Sequence, residues 1–142
     1  MLRSMLDTNV CIRVLRDRPQ YLRARFNAEA DGLCMSTVVM MELLHGAARS
    51  AHPVENRREV ERFAARLEVL AFDADAAAHA ADIRAALERR GQVIGAYDTQ
   101  IAGHARSRGL VVVTSNLGEF TRVEGLRCED WFTGDIERGG RR

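Results

Sequence analysis

The run LVVVT, residues 110 to 114, constrains this chain more than any other stretch. An unbroken apolar run rich in β-branched residues has no polar face to offer water, so it reads as a strand covered on both sides, as central parallel strands are. The segment before it has helical character: Gly95-Ala96 opens a helix predicted to run to about Ser107, and Gly109 stops it. A helix that feeds a doubly buried strand is half of a β-α-β unit.

The rest of the chain repeats the theme. Leu2 to Leu6 reads as a short buried strand, followed by Asp7, Thr8 and Asn9 as capping residues for a helix over about 9 to 16. Pro19 fits the first turn of a second helix reaching about Ala28. Asp31-Gly32 marks a turn, and Leu33 to Met35 forms a second strand ending at Ser36-Thr37, the cap of the helix VVMMELLHGAA. Pro53 opens a long helix with Val60, Phe63, Ala64 and Leu67 on one stripe. A strand over 68 to 72 and an alanine-rich helix ending near Gly91 complete the middle of the chain. Short strands alternating with helices predict an α/β fold with a parallel sheet covered on both faces. The expected domain covers residues 1 to 133, with 134 to 142, ending in ERGGRR, as a flexible tail.

Composition narrows the function classes. The chain has 142 residues, 46% of them hydrophobic and 29% charged, which suits one soluble domain with no membrane span and no signal peptide. Cys11, Cys34 and Cys128 have neither an even count nor zinc-ligand spacing, so a reduced cytoplasm is the expected setting. A net charge of +1 gives no support to nucleic acid, although all 21 basic residues are arginine, the phosphate-binding guanidinium. Nucleotide-cradle and serine-nucleophile motifs are absent.

Ligands in open α/β sheets bind beyond the carboxyl ends of the strands. Asp7 follows the first strand, Ser115 and Asn116 follow LVVVT, Glu42 stands two turns into its helix, and Asp98 is in the first turn of the helix before LVVVT. Ile94, Ile101, Ala102 and Ala105 place Asp98 on the apolar stripe of its helix. A buried carboxylate is costly unless it is paired, protonated or bound to a cation. There is no lysine for Glu42 or Asp98, and the nearest arginines along the chain, Arg49 and Arg106, are around two turns away or more. A divalent cation would satisfy all three acids, while helix capping or ion pairing would account for them one at a time. Glu42 and His45 have di-iron ligand spacing but lack a second such pair, and His79 and His104 read as structural.

The ordered motifs MLDTN, MELLHGA, GAYDTQIAGHARSRGLVVVTSNLGEF and GLRCEDW resemble a PIN-domain ribonuclease over residues 3 to 131. More narrowly, they resemble the VapC-type toxins of bacterial type II toxin–antitoxin pairs, in the enteric-type subgroup that cuts initiator tRNA in the anticodon stem-loop. The resemblance implies a twisted parallel sheet of about five short strands with helices on both faces. It implies Asp7, Glu42 and Asp98 as the site's acids, with Mg2+ (or Mn2+) on Asp7 and Asp98. The family's fourth acidic position is Asn116 here, a departure, and Glu119 of NLGEF matches the acid that replaces it in the subgroup. Thr8, Asn9, Ser115 and Asn116 would support these groups by hydrogen bonds, and Arg13, Arg16, Arg106 and Arg108 would contact RNA. A VapB-type antitoxin lying over the apolar residues of the first helices, with Val10, Ile12, Val14 and Leu15 among them, and a homodimer are the implied partners. Two rival readings are a non-catalytic PIN-type binding module and a haloacid-dehalogenase-like phosphatase. The latter needs an aspartate where Asn9 stands, and a lysine.

Overall fold

The computed structural model describes residues 1–132 and the strand 136–138. In order, its elements are β1 (Ser4–Leu6), α1 (Thr8–Arg16), α2 (Tyr21–Glu29), a 3-10 turn (Ala30–Gly32), β2 (Leu33–Ser36), α3 (Thr37–Ala48), α4 (Pro53–Ala64) and β3 (Glu68–Leu70). They continue with α5 (Ala74–Arg89), α6 (Ala96–Ser107), β4 (Val111–Val113), α7 (Leu117–Phe120), β5 (Arg127–Glu129) and β6 (Ile136–Arg138).

The six strands lie in the order β3-β2-β1-β4-β5-β6. All pairings are parallel except the last, in which Arg127 to Glu129 face Arg138 to Ile136 antiparallel. Every residue of β1 and β2 is buried, and because successive side chains point to opposite faces, both faces of the sheet centre are covered. Against that centre pack α1 with α2, α3 and α4, and α5 with α6. The core joins Met5, Leu6, Met35, Val112 and Val113 of the sheet to Val10, Phe26, Ile101 and Phe120 of the helices. Phe26 and Phe63 stack with ring centres 5.1 Å apart.

Most expected elements are present with strands trimmed at their ends, as is usual for such boundaries. Pro19 lies before α2, two residues ahead of its start at Tyr21, and so is not in its first turn. The segment expected as tail carries a sixth strand: β6 pairs with β5, whose outer backbone groups would otherwise form an open edge. Residues 133–135 and 139–142, where the expected domain boundary and the rest of the tail fall, lie outside the described residues.

Strand order reverses at β1, which has β2 on one side and β4 on the other. The connections leaving β1 and β4 therefore diverge and leave a crevice at their carboxyl ends. The parallel register aligns those ends, Met5 with Val112 and Leu6 with Val113, and the Asp7 amide continues the ladder to the Val113 carbonyl at 3.0 Å.

Candidate functional site

At that crevice the surface sinks into a cleft of about 300 Å3 lined by Asp7, Thr8, Asn9, Ile12, Glu42, Asp98, Ser115 and Asn116. Residues more than a hundred positions apart meet here because β1 and β4 end side by side.

Asp7 is both a helix cap and a cleft-lining carboxylate. Its Oδ1 accepts from the Val10 amide at 2.9 Å and so caps α1, while its carboxyl lines the cleft with only 4% exposure. Burial lifts its pKa from 3.8 to about 6, against the lowering hydrogen bonds of Thr114 and Val10, and the nearby charges of Glu42 and Asp130 push the same way as burial. Asp98, half-buried in the first turn of α6, is raised from 3.8 to about 7. Desolvation leads there as well, followed by a hydrogen bond and charge repulsion from Glu119, then by the charges of Asp7 and Glu42. Glu119, in the short helix α7, thus stands against Asp98 although it is not in the cleft wall.

Thr8 donates from Oγ1 to Glu42 Oε1 at 2.6 Å, tying α1 to α3 and fixing one oxygen of that carboxylate. Asn9 donates from Nδ2 to Ser115 Oγ at 3.0 Å and ties α1 to the turn after β4. That turn is shaped by Thr114, whose Oγ1 accepts from the Asn116 amide at 2.8 Å. Asn116 itself stands at the start of α7 without capping it through its side chain.

Among the described residues, none of Asp7, Glu42, Asp98 and Glu119 takes part in an ion pair, although seven such pairs form elsewhere. The arginines that could have neutralised the acids do not. Burial and neighbouring acid charges raise Asp7 and Asp98, no ion pair among the described residues offsets them, and this leaves room for a mobile cation. Among the described residues no three Asp, Glu, His or Cys side chains converge tightly enough to hold a metal by themselves. Magnesium does not need that, because it keeps several waters and binds through one or two carboxylates, and the all-oxygen donor set suits it.

The predicted arginines divide. Arg13 and Arg16 are exposed in the last turn of α1, beside Asn9 and Ile12. Arg106 and Arg108 stand at the other end of α6 from Asp98, roughly 12–15 Å along the helix axis at 1.5 Å per residue, and are not brought to the cleft. Arg106 is engaged structurally, donating from Nε to His79 Nδ1 at 3.0 Å and from Nη1 to the Glu124 carbonyl at 2.9 Å. Three neighbours of the site escaped the reading of the sequence. Thr114 and Asp130 act on Asp7, and Arg18 lines, with Arg13, Arg16, Asn9 and Ile12, a second depression beside the cleft. Asp130 directly follows β5, the position that had already drawn attention to Asp7, but Arg127 to Glu129 is too polar a run to announce a strand.

With the geometry described, comparison with known proteins is informative. The PIN domain family model matches residues 4–126, and the chain belongs to the PIN-domain family. It is 52% identical, over 92% of its length and 99% of the relative's, to a tRNA(fMet)-specific endonuclease VapC of Salmonella typhimurium. A tRNA(fMet)-specific endonuclease VapC of Shigella flexneri is 50% identical over the same shares of both chains. The fold superposes with a TM-score of 0.89 on a chain of the DNA-bound VapBC crystal structure from Salmonella typhimurium, at 52% identity, covering 92% of this chain and 99% of that one.

Proposed function

We propose that this protein is a metal-dependent endoribonuclease, the toxin of a VapBC-type toxin–antitoxin pair, and that it cleaves initiator tRNA in the anticodon stem-loop. The observation that carries the chemistry is the gathering of Asp7, Glu42, Asp98 and Glu119 at one sheet edge with no protein cation among the described residues to neutralise them. The substrate class rests on relatives named as tRNA(fMet)-specific endonucleases at 50% identity and above.

Asp7 and Asp98 would hold the Mg2+ or Mn2+ ion, which supplies charge neutralisation on the scissile phosphate and makes bound water more acidic. Glu42, oriented by Thr8, would take a proton from the attacking water, and Glu119, hydrogen-bonded to Asp98, would hold that carboxyl in position. Asn9 and Ser115 brace each other across the cleft mouth and keep β1 and β4 ends in register. Asn116 offers a neutral hydrogen-bonding group where an acid would add further repulsion.

The antitoxin's place is the groove of about 400 Å3 between α1, α3 and α4, lined by Ile12, Leu15, Leu43, Gly46, Ala47 and Val60 among others. Val10 and Val14, which the sequence suggested as surplus, are consumed by the core, whereas Ile12 and Leu15 stay half-buried along the groove. Glu42 also borders the groove, so an antitoxin segment lying there reaches the acidic cleft directly. No helix among the described residues is long and apolar enough to cross a membrane, and we assign the pair to the cytoplasm, with a toxin homodimer as its unit.

Sequencing RNA ends after induced expression tests the reading. New ends confined to the anticodon stem-loop of initiator tRNA are expected. Ends restricted to messenger or ribosomal RNA would overturn the substrate, and an absence of new ends would overturn the ribonuclease.

A further inference from the structure

Next to the acidic cleft lies a second, basic depression of about 610 Å3 lined by Asn9, Ile12, Arg13, Arg16 and Arg18. Asn9 and Ile12 also line the acidic cleft, so the two depressions share a wall. All three arginines are exposed, and among the described residues none forms an ion pair. Asp17, the acid between them in sequence, sits in the left-handed conformation (φ 53°), and its Oδ1 lies 4.0 Å from Arg23 Nε. Arg13 Cζ lies over the Phe132 ring at 4.7 Å, a cation–π contact, and Tyr21 steadies Phe132 by donating to its carbonyl at 3.2 Å.

Arginines in the last turn of a helix are favoured by its dipole, and that accounts for Arg13 and Arg16 without any ligand. It does not account for Arg18, which follows the Asp17 C-cap and still lines the same depression. Three unpaired guanidiniums around one concavity form a surface that repels itself until an anion binds, and guanidinium matches phosphate oxygens in a bidentate way.

We propose that this depression is a phosphate subsite that takes an RNA phosphodiester neighbouring the cleaved one, an inference that rests on the ribonuclease reading of the acidic cleft. The cleft itself repels the polyanion, and a metal there neutralises only the scissile group. Arg13, Arg16 and Arg18 supply the compensating attraction across the Asn9–Ile12 wall. They set the register of the strand, so that one particular phosphate falls over Asp7 and Asp98. Phosphate contacts of this kind fix position and carry no base information. Arg18 is therefore a positioning residue for the substrate.

The test measures binding separately from cleavage. An Asp98→Asn protein, expected to cleave too slowly to degrade the probe, is titrated by fluorescence anisotropy with a labelled tRNA(fMet) anticodon stem-loop at several salt concentrations. It is compared with the same protein carrying Arg16→Gln and Arg18→Gln, and with Arg89→Gln as an exposed control on α5. The double substitution is expected to weaken binding by about 10- to 100-fold and to lower the slope of log K against log salt by about 2, roughly one for each phosphate contact. In the cleavage-competent background it raises KM and leaves kcat within about two-fold. Affinity and salt slope equal to those of Arg89→Gln would overturn the subsite, as would RNA binding unchanged while capture of an acidic antitoxin segment is lost. Loss of RNA binding in the double variant, with no cleavage by the unmodified protein, would keep the subsite and remove the ribonuclease reading.

Discussion

The two ends of α6 are built on opposite rules. At its start, Asp98 is half-buried beside Glu119, Asp7 and Glu42, with no ion pair among the described residues, and its pKa climbs to about 7. At its end, polar groups are bonded into the fold: Arg106 reaches His79 and Glu124, and Ser107 donates to the His104 carbonyl at 2.7 Å. Between them, His104 Nδ1 meets Ser36 Oγ at 2.9 Å, and Gly103 lets α5 approach so closely that an added Cβ would sit 2.5 Å from the Ala80 amide nitrogen. One helix thus carries an end bonded into the fold and an end whose carboxylate, among the described residues, has acidic neighbours and no ion pair, as the proposed metal site requires. Carboxylates crowded without a counter-charge are a cost in the free protein, recovered only when a ligand arrives.

The largest effect should come from removing the uncompensated charge. Asp98→Asn or Asp7→Asn is expected to lower RNA cleavage by about a thousand-fold or more, the scale of losing metal-assisted charge neutralisation, with the melting temperature held or raised. Rate assays with thermal melts on the same preparations check both halves of that statement.

At the end bonded into the fold the sign reverses. Gly103→Ala forces a methyl into backbone atoms of α5 and should cost about 1–3 kcal/mol of stability, while activity per folded molecule persists. Denaturant titration read beside specific activity separates the two, and a stable but inactive variant would break the contrast. A smaller effect belongs to Thr8→Val, which keeps the shape of Thr8 but removes the 2.6 Å bond to Glu42. Cleavage should fall by about ten-fold, as for groups that orient others at metal sites.

The smallest effect, and a sharper probe of the difference, is the pH dependence of stability. Asp7 and Asp98 bind protons more tightly in the folded state, with pKa values of about 6 and about 7 against an ordinary 3.8. Between pH 4 and 7 the folded form holds protons that the unfolded form has lost, so these two groups make metal-free stability decline as pH rises through that window, and level off above it. Asp98→Asn should flatten the decline in melting temperature, and an unchanged profile would show that the acids are neutralised by some group of the protein.

Much of this was legible in the sequence, for identifiable reasons. LVVVT and MLDTN announced two adjacent central strands because doubly buried strands have a plain signature, and the capping residues of MLDTN marked where α1 begins, whereas α7 after LVVVT was not announced. Asp98 was legible as a carboxylate on an apolar helix stripe, a local conflict that a partner, a proton or a cation has to resolve. Asp130 and Arg18 were not legible, because what recruits them is tertiary. Asp130 nears Asp7 only once β5 pairs with β4, and Arg18 joins Arg13 and Arg16 only once α1 ends in the left-handed turn at Asp17. Arg106 and Arg108 were misplaced by reasoning from sequence proximity, since two turns of helix separate them from the end that carries Asp98. The edge strand β6 had no apolar run to reveal it, and it is recruited by pairing with β5.

Anomalous diffraction from crystals grown with Mn2+ tests the central claim most directly. An ion peak at about 2.1 Å from carboxylate oxygens of both Asp7 and Asp98, with waters filling the remaining positions, is the predicted result. A map with no peak between them, and an arginine guanidinium turned in to neutralise the pair, would contradict it.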